Sequence, residues 1–208
     1  TVGIVDRPAM IGPARVQDGD VLIGLASSGL HSNGYSLARK VCTEGKTLYE
    51  LTIARDELEG DSVLDALLEP TRIYVKSIRS VLLQCPGAIH SLAHITGGGI
   101  TENLNRALPS TLDAEIQVGS WNMVPILPWV CCAAHLNETE ALKTFNMGLG
   151  MILAVAPQKA EEVAQLLADA GEEVYIVGQV VPGVGKVVYL DEEELFAAYS
   201  EDEEAEED

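Results

Sequence analysis

Residues 21–41 read VLIGLASSGLHSNGYSLARKV, and this stretch decides the fold. The apolar run 21–26 predicts a buried strand, and the run from about residue 34 to residue 43 predicts a helix. Mostly small or polar residues, 26–36, join the two, so the backbone must turn sharply there and leave N–H groups free. A strand, a glycine-bearing loop and a helix in this order indicate an α/β domain whose loop binds an anion, most often phosphate.

This first loop combines small side chains, which let a ligand approach the main chain, with one residue that titrates near neutral pH. That residue, His31, is our candidate catalytic residue, as a general acid or base or as a donor to a phosphoryl oxygen. The candidate phosphate-binding residues of the loop are Ser27, Ser28, Gly29, Ser32, Asn33 and Gly34. An ordinary glycine-bearing turn with a surface histidine is the alternative, because short glycine motifs are common.

A second loop of the same kind lies between a predicted strand at 88–95 and a predicted helix at 100–108. Three consecutive glycines permit backbone angles closed to other residues and leave no side chain between the backbone and a ligand. The dipole of the following helix also favours an anion. Thr96, Gly97, Gly98 and Gly99 are therefore further candidate phosphate-binding residues. A merely flexible connection is the alternative.

The third candidate segment, residues 145–151, reads FNMGLGM. Asn146 and Gly148 stand just before a predicted strand, so the amide of Asn146 is placed to meet a ligand. An Asx turn with glycines for tight packing explains the same residues equally well. Both interpretations stay open at this point.

The rest of the chain alternates between strand and helix patterns. Further strands are predicted at 2–5, 14–16, 114–118, 151–155 and 173–181, with 186–190 closing a hairpin against the last of these. Further helices are predicted at 62–68, 71–83, 125–132, 138–144 and 160–170, and 47–61 as an irregular surface loop. We therefore expect an α/β (α+β) layered fold, a mixed β-sheet covered by helices.

Composition excludes several classes of function. The net charge of −19 argues against nucleic acid as a partner. No apolar run approaches the ~20 residues of a membrane span, and the N-terminal residues lack a signal-peptide pattern, so we expect a cytoplasmic protein. The four cysteines have no zinc-site spacing, so we predict buried reduced thiols and no metal site. The acidic run 191–208 repels itself and is predicted to be disordered.

Four strings, in this order, resemble the signature of the aminoimidazole ribonucleotide synthetase (phosphoribosylformylglycinamidine cyclo-ligase) family. They are SSGLHSNGYSL (27–37), PTRIYVK (70–76), HITGGG (94–99) with EN at 102–103, and TFNMGLGM (144–151). The match runs from about residue 3 to residue 190 and covers only the C-terminal half of that family's chain. The resemblance therefore implies that 1–190 is the C-terminal domain and that 191–208 is an acidic tail outside the family pattern.

The resemblance implies ATP-dependent ring closure of formylglycinamidine ribonucleotide to aminoimidazole ribonucleotide, in de novo purine biosynthesis. It also implies that ATP and Mg2+ are held mostly by an N-terminal half outside this chain, and that the full-length enzyme is a homodimer. The isolated domain is then expected to be inactive, with His31 and the two glycine loops facing the missing half. Two alternatives stay open: a stand-alone, non-catalytic domain that binds a phosphorylated ligand or a partner, and a subunit that meets its ATP-binding half as a separate chain.

Overall fold

The computed structural model describes residues 2–199, which form one six-stranded sheet with helices packed on both faces. The strands are β1 (Val21–Ala26), β2 (Ile89–His94), β3 (Leu112–Gln117), β4 (Leu149–Val155), β5 (Val174–Pro182) and β6 (Val187–Leu190). The α-helices are α1 (Tyr35–Thr43), α2 (Leu48–Leu51), α3 (Val63–Leu68), α4 (Val75–Gln84), α5 (Gly99–Arg106), α6 (Ile126–Ala133), α7 (Glu138–Thr144) and α8 (Ala160–Asp169). Short 3-10 helices lie at Arg7–Ala9, Pro13–Arg15, Asp56–Leu58, Pro157–Lys159 and Glu192–Tyr199.

The strand order is β2-β4-β1-β5-β3-β6. Each neighbouring pair is antiparallel except β3 and β6, which are parallel. The predicted mixed sheet covered by helices is therefore confirmed.

The central strand β1 is apolar at every position because it is covered on both faces. Leu22 belongs to the larger core, which packs against α1, α5, α6 and α7, whereas Ile23 and Leu25 belong to the smaller core beneath α4 and α8. These three side chains have no exposed surface, and each contributes about 1.5–3 kcal/mol by burial. A continuous apolar run is the pattern that a strand buried on both faces requires.

The sheet topology brings the three candidate segments together. β1 and β2 each pair antiparallel with β4, which lies between them. β1 and β2 are therefore parallel to each other, and the C-terminal ends of both strands lie at the end of the sheet where β4 begins. Residues 27–34 follow β1, residues 95–98 follow β2 and residues 145–148 precede β4. We call these three segments together the loop edge.

The two short strands predicted near the N-terminus are wrong. Residues 2–5 have no regular structure, and Ile4 is fully exposed. A strand needs a neighbouring strand to pair with, and within residues 2–199 this segment has none. Pro13 begins a 3-10 helix instead of a strand, consistent with its fixed φ and missing N–H.

The predicted hairpin between residues 173–181 and 186–190 is also wrong. β6 does not pair with β5. The chain passes across the end of β3, and β6 then pairs parallel with β3 on the side away from β5. The carboxylate of Asp113 in β3 accepts from the amides of Val184 and Lys186, both at 2.7 Å, and thereby holds the crossing turn. These two bonds lower the pKa of Asp113. A side chain 71 residues away in sequence therefore directs a turn whose local residues suggested a hairpin.

Two segments predicted to be irregular contain local structure. Residues 47–61 include α2, which begins with a capping box between Thr47 and Glu50, and the buried side chain of Leu58. The predicted disorder does not begin at residue 191, because Glu192–Tyr199 forms a 3-10 helix whose Leu195 is buried in the larger core. The remainder of the predicted tail, 200–208, lies outside the described residues.

Within residues 2–199, every helix is too short or too polar to cross a bilayer.

Candidate functional site

The first loop is held from inside by Asn146. Its Nδ2 donates to the carbonyl of Gly29 at 2.8 Å, and its Oδ1 accepts from the Gly148 amide at 3.0 Å and from the Ser27 hydroxyl at 3.2 Å. The Ser27 amide in turn donates to the Gly148 carbonyl at 2.7 Å. Asn146 has no exposed surface. These bonds make Asn146 a brace between two segments of the loop edge, and its contact with a ligand stays a prediction.

His31 lies inside the loop, not on its surface. Its Nε2 accepts from the amides of Ser28 at 2.9 Å and Arg72 at 3.3 Å. A ring nitrogen that accepts hydrogen bonds carries no proton, so the proton of the neutral imidazole is on Nδ1. Burial, together with the nearby charges of His94 and Arg72, lowers the pKa of His31 to about 4. At neutral pH the imidazole is therefore uncharged, and its Nε2 lone pair is already occupied.

The backbone of the loop is strained at two adjacent non-glycine residues. His31 has φ 51° and Ser32 has φ 62°, both in the left-handed region. For residues other than glycine this region costs about 1–2 kcal/mol each. Such a conformation persists only where surrounding contacts determine it. The loop is therefore shaped by its bonds to the rest of the fold.

The second loop depends on both glycine and a buried asparagine. Gly99 has φ 60°, and a Cβ there would lie 2.0 Å from the carbonyl oxygen of Leu142 in α7, so only glycine fits. Asn103 is buried in α5, and its Nδ2 donates back to the carbonyls of Gly99 at 2.7 Å and Gly97 at 3.2 Å. The local sequence pattern does not predict this role of Asn103. The amide group of one side chain thus bonds several backbone carbonyls of a loop that consists mostly of glycine.

Both loops end at helix N-termini that no side chain caps. The N-cap residues are Gly34 for α1 and Gly98 for α5, both in the left-handed conformation and neither making a side-chain cap bond. The first amides of a helix have no partner within the helix, and the helix dipole adds positive potential there. The arrangement can therefore receive phosphate or another anion at two neighbouring helix ends.

The predicted site residues divide by their exposure. Those exposed or partly exposed are Ser28, Ser32, Asn33, Gly34, Thr96, Gly97 and Gly98. Those buried are Ser27, Gly29, His31, Gly99, Asn146 and Gly148. A ligand can reach the first group, whereas the second group lies within the fold, and ligand contact by these residues stays a prediction.

The surroundings limit what the site can bind. A depression of about 280 Å³ beside Ser28 is lined by the carboxylates of Glu59, Asp61, Asp65 and Glu69, which would repel phosphate. Among residues 2–199, no group of three or more His, Cys, Asp or Glu side chains is arranged to hold a metal ion.

Comparisons with known proteins agree with this geometry. The family model described as "AIR synthase related protein, C-terminal domain" matches residues 17–191. The chain is 47% identical over 191 residues to the phosphoribosylformylglycinamidine cyclo-ligase of Brevibacillus brevis, covering 91% of this chain and 54% of the relative. It is 46% identical over 180 residues to the enzyme of the same name from Lactobacillus delbrueckii subsp. bulgaricus, covering 86% of this chain and 51% of the relative.

Solved structures share the fold at low sequence identity. Thiamine-monophosphate kinase from Stenotrophomonas maltophilia K279a has a TM-score of 0.58 at 16% identity, covering 89% of this chain and 54% of that chain. E. coli HypE, a hydrogenase maturation protein, has a TM-score of 0.55 at 20% identity, covering 86% and 49%. T. maritima PurL complexed with AMPPCP has a TM-score of 0.50 at 11% identity, covering 86% and 24%.

The chain spans about half the length of the curated relatives it matches. The resemblance carried by the four sequence strings is confirmed by the family model and by both relatives. The chain belongs to the family of AIR synthase related proteins and carries the C-terminal domain of that family.

Proposed function

We propose that this chain is the C-terminal part of a phosphoribosylformylglycinamidine cyclo-ligase, which closes the imidazole ring of aminoimidazole ribonucleotide at the expense of ATP. The observation that carries the proposal is 47% identity over 91% of the chain to a relative of that name. The strings that resemble the family surround one sheet edge, where two uncapped helix N-termini lie. The other half of the enzyme, which completes the site, is the chain's main partner, and the complete enzyme is proposed to be a cytoplasmic homodimer.

In the proposed reaction ATP phosphorylates the formyl oxygen of formylglycinamidine ribonucleotide, the amidine nitrogen attacks that carbon, and phosphate leaves. The role of the protein is to position the groups and stabilise negative charge. The substrate carries a ribose phosphate, and we assign phosphate binding to the N-termini of α1 and α5. The AMPPCP complex of PurL, which shares the fold, supports ATP as the nucleotide. Any Mg2+ would be held by residues of the other half.

We propose that His31 acts by shaping the loop, more than as a general acid or base. A general base needs a free lone pair, but Nε2 accepts from Ser28 and Arg72. A general acid needs an accessible proton, but Nδ1 is buried, and the lowered pKa of His31, about 4, keeps the ring neutral at physiological pH. Of the two predicted roles, donation to a phosphoryl oxygen remains open to Nδ1–H only after the loop moves.

The proposal is tested at Gly97, which is exposed and has open space where a Cβ would be. Gly97→Asp adds a negative charge beside the N-terminus of α5, and Gly97→Asn adds nearly the same shape without the charge. In the enzyme completed by its N-terminal half, we expect Gly97→Asp to raise the KM for formylglycinamidine ribonucleotide or ATP about tenfold relative to Gly97→Asn. Equal KM values for both ligands in the two variants would contradict the assignment of phosphate to this loop.

The stand-alone alternative is distinguished by reconstitution. We expect ring closure when the 208-residue chain is mixed with a separately produced N-terminal half, and none from either piece alone. Calorimetry with formylglycinamidine ribonucleotide, and then with ATP and Mg2+, measures which ligand the chain binds by itself. Two folded halves that associate but do not close the ring would contradict the cyclo-ligase proposal and favour a non-catalytic binding domain.

A further inference from the structure

The strained conformation of loop 27–34 depends on contacts outside the loop. Besides the bonds to Asn146 and Gly148, the loop bonds residues 70–72, which lie between α3 and α4. The Ser28 hydroxyl donates to the Pro70 carbonyl at 2.7 Å, and the Arg72 amide donates to Nε2 of His31 at 3.3 Å. The position of residues 70–72 therefore determines where His31 and Ser28 lie.

Residues 70–72 have no helix or strand bonds to hold them, so side chains must do so. The guanidinium of Arg72 forms an ion pair with Glu172 at 2.9 Å and donates to the Gly171 carbonyl at 2.7 Å. Glu172 is 7% exposed and also accepts from the Ser77 hydroxyl in α4. One oxygen of this nearly buried carboxylate accepts the Ser77 hydrogen bond, and the other meets Arg72 as an ion pair without a hydrogen bond, so removing Arg72 would leave the Glu172 charge unpaired at a cost.

We propose that Arg72 and Glu172 are positioning residues for the anion-binding loop. Their ion pair ties residues 70–72 to the turn between α8 and β5, and through the Arg72 amide it holds His31 and the strained backbone of residues 31 and 32. Neither side chain is assigned contact with substrate. The inference rests on the proposed function of loop 27–34, because the pair matters for activity only if that loop binds substrate or nucleotide.

The experiment removes the ion pair from each side. Glu172→Gln and Arg72→Gln each abolish one charge, and the double variant abolishes both. Glu173→Gln is the matched control, because Glu173 is the exposed neighbour whose carboxylate bonds only Tyr175 among the described residues. Amide hydrogen exchange by NMR in the 208-residue chain reports on the amides of Ser28 and residue 72, both donors to His31. Amides in the centre of β1 report global stability.

We expect both single variants to accelerate exchange at these two amides about tenfold, the value of one net hydrogen bond of about 1.4 kcal/mol. In the double variant these two amides are expected to exchange no faster than in either single variant, because both substitutions remove the same interaction. Amides in the centre of β1 should exchange at the wild-type rate in every variant. In Glu173→Gln the amides of Ser28 and residue 72 should also exchange at the wild-type rate. Unchanged exchange at Ser28 and residue 72 in both single variants would overturn the inference, as would equal acceleration throughout β1.

Kinetics of the enzyme completed by its N-terminal half separate this inference from the proposed function. If both hold, Glu172→Gln raises the KM of a phosphate-bearing substrate severalfold, and Glu173→Gln does not. Faster exchange at Ser28 with unchanged KM and kcat would support the coupling and overturn the role of the loop in binding. A raised KM without faster exchange would overturn the positioning role of the pair.

Discussion

Replacing Asn146 by aspartate isolates the role of a single buried amide. The change turns Nδ2, the donor to the Gly29 carbonyl, into an oxygen, and it leaves Oδ1 with its donors from Gly148 and Ser27. The shape is nearly unchanged, so the effect is electrostatic. Because the site has no exposed surface, a carboxylate there faces the Gly29 oxygen without water. Both burial and that oxygen would raise the pKa of the new carboxyl group.

The amount by which Asn146→Asp lowers the free energy of unfolding has an upper limit, because a protonated carboxyl group can again donate to the Gly29 carbonyl. Keeping a carboxyl protonated costs about 1.36 kcal/mol for each pH unit above its unfolded pKa of about 3.9. The limit is therefore roughly 5 kcal/mol at about pH 7.5 and roughly 2 kcal/mol at about pH 5.5. Since the folded-state pKa is raised, the variant is closest to the wild type at low pH and loses stability as the pH rises.

Urea unfolding of both proteins at about pH 7.5, 6.5 and 5.5 measures this difference. We expect the free-energy gap to narrow by about 1.4 kcal/mol for each unit that the pH falls. Asn105→Asp is the control, because Asn105 is an exposed residue of α5, and it should stay within about 0.5 kcal/mol of the wild type. A gap below about 1 kcal/mol that does not change with pH would refute the bracing role of Asn146.

Two further predictions concern the same sheet edge. NMR titration of the four histidine rings should show that His31 stays neutral down to about pH 5, because burial lowers its pKa to about 4. In the unfolded chain the pKa of His31 is near 6.5. The stability that neutral His31 contributes is therefore fully present above pH 6.5 and is lost as the pH falls towards 4. Titration of His31 near pH 6.5 in the folded protein would contradict its buried position. Gly99→Ala should lower the free energy of unfolding by about 3 kcal/mol or more, because its methyl group meets the Leu142 carbonyl. Gly97→Ala should change the free energy of unfolding by under about 0.5 kcal/mol, because its methyl group enters open space. Equal effects in thermal unfolding would refute the close contact between the second loop and α7.

The local sequence pattern was sufficient to predict a strand or a helix where local residues alone determine it. Val21–Ala26 is a strand as predicted, because a strand buried on both faces is apolar at every position. Glu138–Thr144 is a helix with the predicted bounds, because Asn137 and Glu140 form a capping box that marks its start. The glycine loops were also located correctly at transitions between strand and helix.

Sequence pattern failed where a distant partner decides the outcome. The turn before β6 has the residues of a hairpin, but the Asp113 carboxylate directs it across β3. Residues 2–5 form an apolar run that was predicted to be a strand, yet no strand among the described residues lies beside them. The role of Arg72 depends in the same way on Glu172, which is 100 positions further along the chain. Long-range pairs of this kind carry no local periodicity.

The two buried asparagines show which signal was present but not used. A run of glycines that keeps its amides open for a ligand has no side chains of its own, so its shape depends partly on neighbouring residues. A buried amide side chain supplies both a donor and an acceptor, so one residue can bind several backbone groups of such a loop at once. Asn103 does this for loop 96–99, and Asn146 links the Gly29 carbonyl of loop 27–34 to the Gly148 amide of the third segment. Asn103 lies one turn after a glycine cluster and Asn146 just before a second glycine pair, so in this chain asparagines at such positions bond the backbone of the predicted anion-binding loops, while contact of Asn146 with a ligand stays a prediction.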